Sequence, residues 1–341
     1  MTLTKDSSKL KIVLAGSVGS SKVTLQMLLK HKMNVVGVLG LSEKESKFVS
    51  GYTSLKEIAK TFSIQYYDFK KINDSNVIEK VRTWQPDLFF VVGLSQLVCE
   101  KLLDIATIGN IGFHPTKLPN SRGRAPLAWL TYRKEAGAAT FFLINNEVDS
   151  GPILIQEPFS ISEQDYASDV SIKIEKAITR ALNNWLPKLL KGEWYPINQD
   201  ETKSSYYGIR KPSDGLINWN KSAEDTLRLI QAASKPHPGA YTFIKDNKLI
   251  IWRAKSASEN YMGIPSRIQK IENDHLLVQT GKGLLWLTDW EITSPNNNNI
   301  LAKNVVRVGA KLGYYPECEI YRLLKRINDL EKKLNKLEKK K

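Results

Sequence analysis

Two short stretches hold the side chains best suited to proton chemistry. In Gly109-Asn-Ile-Gly-Phe-His-Pro-Thr-Lys-Leu-Pro-Asn-Ser-Arg-Gly-Arg124, the apolar run Ile108–Phe113 predicts a strand ending in His114-Pro115. A loop broken by Pro115, Pro119 and Gly123 then delivers Arg122 and Arg124. An imidazole in that position can exchange protons near neutral pH, and arginine forks suit carboxylate or phosphate. The second stretch, Thr140-Phe-Phe-Leu-Ile-Asn-Asn-Glu-Val-Asp149, runs from an apolar strand into a polar loop, with Asp149 ahead of Ser150-Gly-Pro152. A carboxylate beside an imidazole raises its pKa and can receive its proton. Each residue also has a plainer use, the histidine capping a strand and the aspartate setting a turn before glycine. Residue types and spacing alone therefore indicate an α/β enzyme with a His/Asp pair.

Positioning those loops requires a sheet. Lys11-Ile-Val-Leu-Ala15 reads as a buried strand entering the turn Gly16–Gly19, and Val23, Leu25, Leu28 and Leu29 then recur at helical spacing. Strands at Asn34–Leu39 and Asp87–Val92 alternate with helices near Ser54–Phe62 and Asn76–Trp84. That alternation implies a parallel, doubly wound sheet, whose ligands sit at the carboxyl ends of its strands. Gly16 and Gly19 are three apart and no G-x-G-x-x-G occurs, so the dinucleotide fingerprint is not met and an NAD reading is rejected. An amphipathic helix over residues 165–191 closes this part, with Ile174, Ile178, Leu182, Trp185 and Leu189 on one face. The polar stretch Trp194–Arg210 reads as a linker. Beyond it, short strands at Tyr241–Ile244, Leu249–Ala254, Leu276–Thr280 and Leu284–Leu287 predict a small antiparallel barrel, preceded by a helix at Ser222–Ala233. Ile320, Leu323, Ile327, Leu330, Leu334 and Leu337 alternate spacings of three and four, the signature of a coiled-coil tail. The expected fold is thus α/β, with a doubly wound domain over residues 1–200, a barrel domain over 206–295 and a coiled coil over 316–341.

Composition narrows the setting. With 42% hydrophobic and 25% charged residues, the chain can bury an ordinary core. Its richest apolar run, Asp87–Val98, falls short of the ~20 residues of a membrane span. The N-terminus has no long apolar region, so a cytoplasmic protein is expected. Two cysteines and four histidines show no metal-ligand spacing. The net charge of +15 is concentrated at the end, where residues 321–341 carry nine Lys/Arg against three acids, or +6, leaving +9 for the other 320. A thin excess of that kind fits a solvated surface or an anionic small substrate better than a phosphate-tracking stripe.

His114, Leu118-Pro119, Arg122-Gly123 and Asp149-Ser150-Gly151 occur in the order of a known pattern. Together with Arg210-Lys-Pro-Ser-Asp-Gly-Leu-Ile-Asn-Trp219 and Pro236-His-Pro-Gly-Ala-Tyr241, they resemble the formyltransferase family that uses 10-formyltetrahydrofolate. Its members include methionyl-tRNA and glycinamide ribonucleotide formyltransferases. They also include sugar N-formyltransferases such as those acting on UDP-4-amino-4-deoxy-arabinose. The resemblance covers roughly residues 10–292 and implies a formyltransferase domain followed by an OB-like barrel. It further implies His114 and Asp149 as catalytic residues, with folate contacts at Gln96, Leu97, Val98, Arg124, Asn145, Asn146, Glu147, Val148 and Asp149. The family's asparagine, which stabilises the oxyanion of the tetrahedral intermediate, has Gly112 in its place. One such donor is worth ~3 kcal/mol, about a hundredfold in rate. Asn110 stands ~6.6 Å back along the same strand face, which leaves Asn145, Asn146 or a backbone N–H as other donors.

Resemblance also ranks the acceptors. The segment Gly40–Gly51 is short and holds as many acids as bases, unlike a basic insert for tRNA. Arg122–Trp129 and Arg210–Asp214 look more like the sugar-nucleotide enzymes, and a nucleotide-linked amino sugar is the expected acceptor. Methionyl-tRNA is the alternative, and a folate-binding homodimer weakened by Gly112 is a third reading.

Overall fold

Strand β1 (Ile12–Gly16) is buried along its whole length, and its side chains alternate between two apolar clusters. Ile12 and Leu14 pack with Leu25 and Leu28 of α1 (Gly19–Lys30), while Val13 and Ala15 face the opposite side. A strand covered on both faces is what a continuous apolar run demands. The computed structural model describes residues 7–294 and 304–338, so expectations resting on Met1–Asp6 and on Lys339–Lys341 lie outside the described residues.

After β1 and α1 come β2 (Val35–Leu41), α2 (Lys56–Thr61), β3 (Gln65–Phe69), α3 (Ser75–Trp84), β4 (Leu88–Val91), α4 (Glu100–Leu103) and β5 (Gly109–His114). There follow β6 (Arg122–Gly123), α5 (Pro126–Arg133), β7 (Gly137–Leu143), β8 (Ile153–Phe159), α6 (Ala167–Leu190) and β9 (Tyr206–Tyr207). The main sheet has the order β3-β2-β1-β4-β5-β7-β8. Its first five strands are parallel, as expected, but β7 runs antiparallel to β5 and β8 antiparallel to β7. The reason at the edge is length: residues 144–152 are fewer than the dozen or more a parallel crossover needs, and Leu143 N–H closes the loop on the Pro152 carbonyl at 2.8 Å. Val170, Ile174, Ile178, Leu182 and Leu189 of α6 lie in the cluster shared with α1, so the apolar stripe is core.

The chain divides into two compact units, one of Met1–Gly215 with Arg228–Gly239, the other of Leu216–Leu227 with Ala240–Lys341. The elements completing the chain are α7 (Ala223–Ala233), β10 (Ala240–Ile244), β11 (Asn247–Ala257), β12 (Ile268–Glu272), β13 (His275–Gln279), β14 (Leu284–Thr293) and α8 (Pro316–Glu338). In the second unit the expected barrel takes the form of a five-stranded antiparallel sheet ordered β10-β11-β14-β13-β12. Among the described residues the outer strands β10 and β12 are not paired with each other. Strand β12, sequence Ile-Gln-Lys-Ile-Glu, escaped the sequence pattern because three polar residues dilute its two isoleucines.

Candidate active site

His114 ends β5 and is buried, with 5% of its surface exposed. Its Nε2 lies 3.0 Å from the Ser121 carbonyl, and its Nδ1 lies 3.4 Å from Asp149 Oδ2. A carbonyl only accepts, so Nε2 carries the proton. Burial lowers the imidazole pKa below its usual value, against the opposing pull of Asp149 and of the Ser121 carbonyl. The neutral ring then has a bare Nδ1 facing a carboxylate oxygen. Two acceptors at 3.4 Å make no hydrogen bond, and a proton arriving between them would be shared by both.

Asp149 is held from several sides. Its Oδ2 accepts from Gly123 N–H at 2.9 Å, and its backbone adopts φ +53°, a left-handed conformation that aspartate tolerates better than most residues. Gln199 Nε2 donates to the carbonyls of both Asp149 and Gly151, at 2.8 and 2.7 Å. Sequence reasoning did not find Gln199. It lies in the stretch read as a linker, yet this stretch is built into the first unit. Ser121 N–H donates to Ser205 Oγ, Arg122 N–H to the Ser205 carbonyl, and β6 pairs with β9. The signal was present in Trp194, Tyr206 and Tyr207, aromatic residues that a solvated linker has no use for.

Arg122 corrects a second expectation. Offered as an anion-binding loop arginine, it is fully buried and already paired. Nη1 and Nη2 meet the Glu201 carboxylate at 2.8 and 2.7 Å, Nη2 meets Gln199 Oε1 at 2.8 Å, and Nη1 meets Tyr206 Oη at 3.2 Å. No donor remains for a ligand. Arg124, by contrast, is exposed and has no side-chain partner among the described residues.

At Gly112 the neighbours decide the question of the missing asparagine. The glycine pairs with Phe142 across β5 and β7. A Cβ there would lie 2.7 Å from the Phe142 ring and 3.1 Å from Ile144 Cγ1. The space is filled by apolar atoms. Asn110 offers no replacement: its Nδ2 donates to the Leu103 carbonyl at 3.0 Å, and its Oδ1 is buried without a partner. Asn145 is used through its oxygen, which accepts from Glu147 N–H at 3.2 Å and Ser150 Oγ at 2.9 Å. Its Nδ2, and the whole amide of exposed Asn146, stay uncommitted among the described residues.

The remaining expected folate contacts lie on two loops. Gln96 is committed to the protein, accepting from Ile72 N–H and donating to the Lys70 carbonyl, both at 2.8 Å. Asn73 ties the same loop from its other side through the Leu97 carbonyl and Cys99 N–H. Leu97 is left 79% exposed, Val98 is half-buried, and in the second loop Val148 is 51% exposed beside exposed Glu147. Val148 thus leaves an apolar side chain uncovered on the loop that carries the uncommitted amides of Asn145 and Asn146.

Residues 10–186 match the family described as formyl transferase, and residues 210–305 match its C-terminal domain. A curated relative, the bifunctional polymyxin resistance protein ArnA of Wigglesworthia glossinidia brevipalpis, is 29% identical over 89% of this chain and 46% of its own length. The chain thus spans less than half of that relative. Among solved structures, HypX from Aquifex aeolicus in complex with tetrahydrofolic acid aligns with a TM-score of 0.63 at 14% identity, over 84% of this chain and 45% of HypX. WlaRD, a sugar 3N-formyl transferase solved with dTDP and 5-N-formyl-THF, aligns at 0.56 with 18% identity over 81% of this chain and 96% of its own. Methionyl-tRNA formyltransferase from Clostridium thermocellum aligns at 0.52 with 17% identity over 74% and 95%.

Proposed function

The chain belongs to the formyl transferase family, and from that premise we propose that it moves a formyl group from 10-formyltetrahydrofolate to the primary amine of a nucleotide-linked amino sugar. The observation that carries this reading is the neutral His114, its Nδ1 bare against Asp149 Oδ2 at 3.4 Å. The donor supplies an activated formyl carbon. As the acceptor nitrogen bonds to that carbon it must lose a proton, and the His114–Asp149 pair takes it. The same proton passes to the folate nitrogen as its bond to the formyl carbon breaks. Leu97 and Val148 supply apolar contact for the folate, with Asn145 and Asn146 as the oxyanion donors that Gly112 cannot provide.

Support for a sugar acceptor is the short Gly40–Gly51 segment, a 3-10 turn over Glu43–Phe48 with no basic insert. The likeness to a sugar 3N-formyl transferase points the same way, while that to methionyl-tRNA formyltransferase keeps tRNA as the second reading. Offering the protein 10-formyltetrahydrofolate with nucleotide-linked 3-, 4- and 7-amino sugars, and separately with initiator Met-tRNA, separates them. Faster formylation of a sugar amine supports the proposal, and faster formylation of Met-tRNA overturns it. Folate binding without any transfer would favour the weakened homologue.

The reading extends to a homodimer. On α8, Ile320, Leu323, Ile327, Leu330, Leu334 and Leu337 are each 51–64% exposed. Isoleucine at the first position of two successive heptads and leucine at the fourth suit a parallel two-stranded coil. Truncation after Glu319 would then yield a monomer by light scattering. A truncated protein that stays dimeric removes α8 as the contact.

A further inference from the structure

We infer that Gln199, braced by Arg122 and Glu201, is a positioning residue that sets where the Asp149 carboxylate stands relative to His114. The inference rests on the reading of His114 and Asp149 as the reacting pair.

Segment Ser121–Gly123 touches everything that fixes the pair. The Ser121 carbonyl accepts a hydrogen bond from His114 Nε2–H and so decides which imidazole nitrogen is bare. Gly123 N–H grips Asp149 Oδ2 directly. Arg122, between them, turns its whole guanidinium toward the 199–206 segment. With its oxygen taken by Arg122 Nε at 3.3 Å and Nη2 at 2.8 Å, the Gln199 amide is fixed in one orientation, its NH2 toward residues 149–151. Both hydrogens of that NH2 are used, one on the Asp149 carbonyl and one on the Gly151 carbonyl. This clamp spans the left-handed turn at Asp149, where the backbone has least conformational preference of its own for the observed geometry. Gly151 admits nothing larger, since a Cβ there would lie 1.6 Å from the Leu143 carbonyl oxygen. Gln199 therefore holds the turn from outside, and Gly123 holds the carboxylate from within.

A glutamine used only for folding would affect stability and nothing else. A positioning residue must change the electrostatic contact at His114. Among the described residues, the charged group beside that ring is Asp149, which raises its pKa against burial. Loss of the clamp lets the carboxylate move away, and the His114 pKa falls further. Gln199→Leu removes both donors and the acceptor. Gln199→Glu keeps shape and acceptor, so it still receives Arg122 but cannot donate to the two carbonyls.

With four histidines in the chain, ring resonances of isotope-labelled histidine can be followed by NMR, and His114→Asn assigns the one of interest. In the full-length protein, Asp149→Asn sets the reference shift of the His114 pKa. Gln199→Leu should lower that pKa in the same direction, whereas Gln199→Glu adds a carboxylate whose charge opposes the fall and is read through kcat alone. Both variants should reduce kcat about tenfold or more with little change in KM, using whichever acceptor amine the screen identifies. Two results overturn parts of this account separately. If Asp149→Asn leaves the His114 titration unmoved, the pair itself is misread. If Asp149→Asn moves it and folded Gln199→Leu leaves it at the wild-type value, Gln199 is only structural.

Discussion

The two sides of the candidate site are furnished very differently. On the proton-handling side, Ser121, Gly123, Gln199 and the buried Arg122 fix one imidazole and one carboxylate through a chain of hydrogen bonds. On the strand side, where the family resemblance places an asparagine, Gly112 sits under the Phe142 ring, and the three atoms nearest a Cβ built there are all apolar. The contrast separates a region fixed by hydrogen bonds from one filled by apolar packing. Proton transfer tolerates little change in distance or tautomer, so its groups are held by backbone donors and buried charges. Oxyanion stabilisation needs a donor aimed at the developing charge, and a neighbouring loop can present one while the strand fills with apolar packing.

The largest effect expected from this comparison is at His114. His114→Ala should lower kcat by two or more orders of magnitude with a modest change in KM, as loss of a transition-state role requires. Steady-state turnover measures it, and wild-type turnover would dissolve the better-furnished side.

Next comes the loop assigned to the other side. Asn146→Ala and Asn145→Ala should together lower kcat by about tenfold to a hundredfold, the range for removing an oxyanion donor. Asn145→Ala also frees Glu147 N–H and Ser150 Oγ, so Asn146→Ala is the cleaner variant. If neither changes kcat, the donor is a backbone N–H.

Much of this was legible in the sequence, for reasons that differ by residue. His114 stood out because it ends an apolar strand and Asp149 because it lies in the loop that follows one, and strand ends are where such sheets place ligands. The paired cores followed from runs such as Ile12–Ala15, apolar at every position. Gln199 and Glu201 were illegible because nothing in a polar stretch tells whether its hydrogen bonds go to water or to a buried arginine some eighty residues earlier. Arg122 misled for the same reason, since a loop arginine looks alike whether it awaits an anion or already holds one. Gly112 raised the right question. The answer depended on a cross-strand neighbour, and register between β5 and β7 is a property of the folded sheet.

A smaller effect tests the strand side directly. Gly112→Asn should cost about 1–3 kcal/mol, the usual range for overpacking, and lower the Tm measured by calorimetry without raising kcat. The same substitution should cost less in a Phe142→Ala background, where the ring that blocks it is gone. A stable Gly112→Asn variant with higher kcat would mean that the strand still has room for the missing donor.

The account stands most directly on Asp149. Transfer of an isotopically labelled formyl group from 10-formyltetrahydrofolate to the accepted amine should be compared for the wild-type protein and Asp149→Asn, with folate affinity measured in parallel. The account predicts transfer by the wild type, a loss of two or more orders of magnitude in kcat for the variant, and folate binding that persists in both. Transfer by Asp149→Asn at the wild-type rate would contradict it.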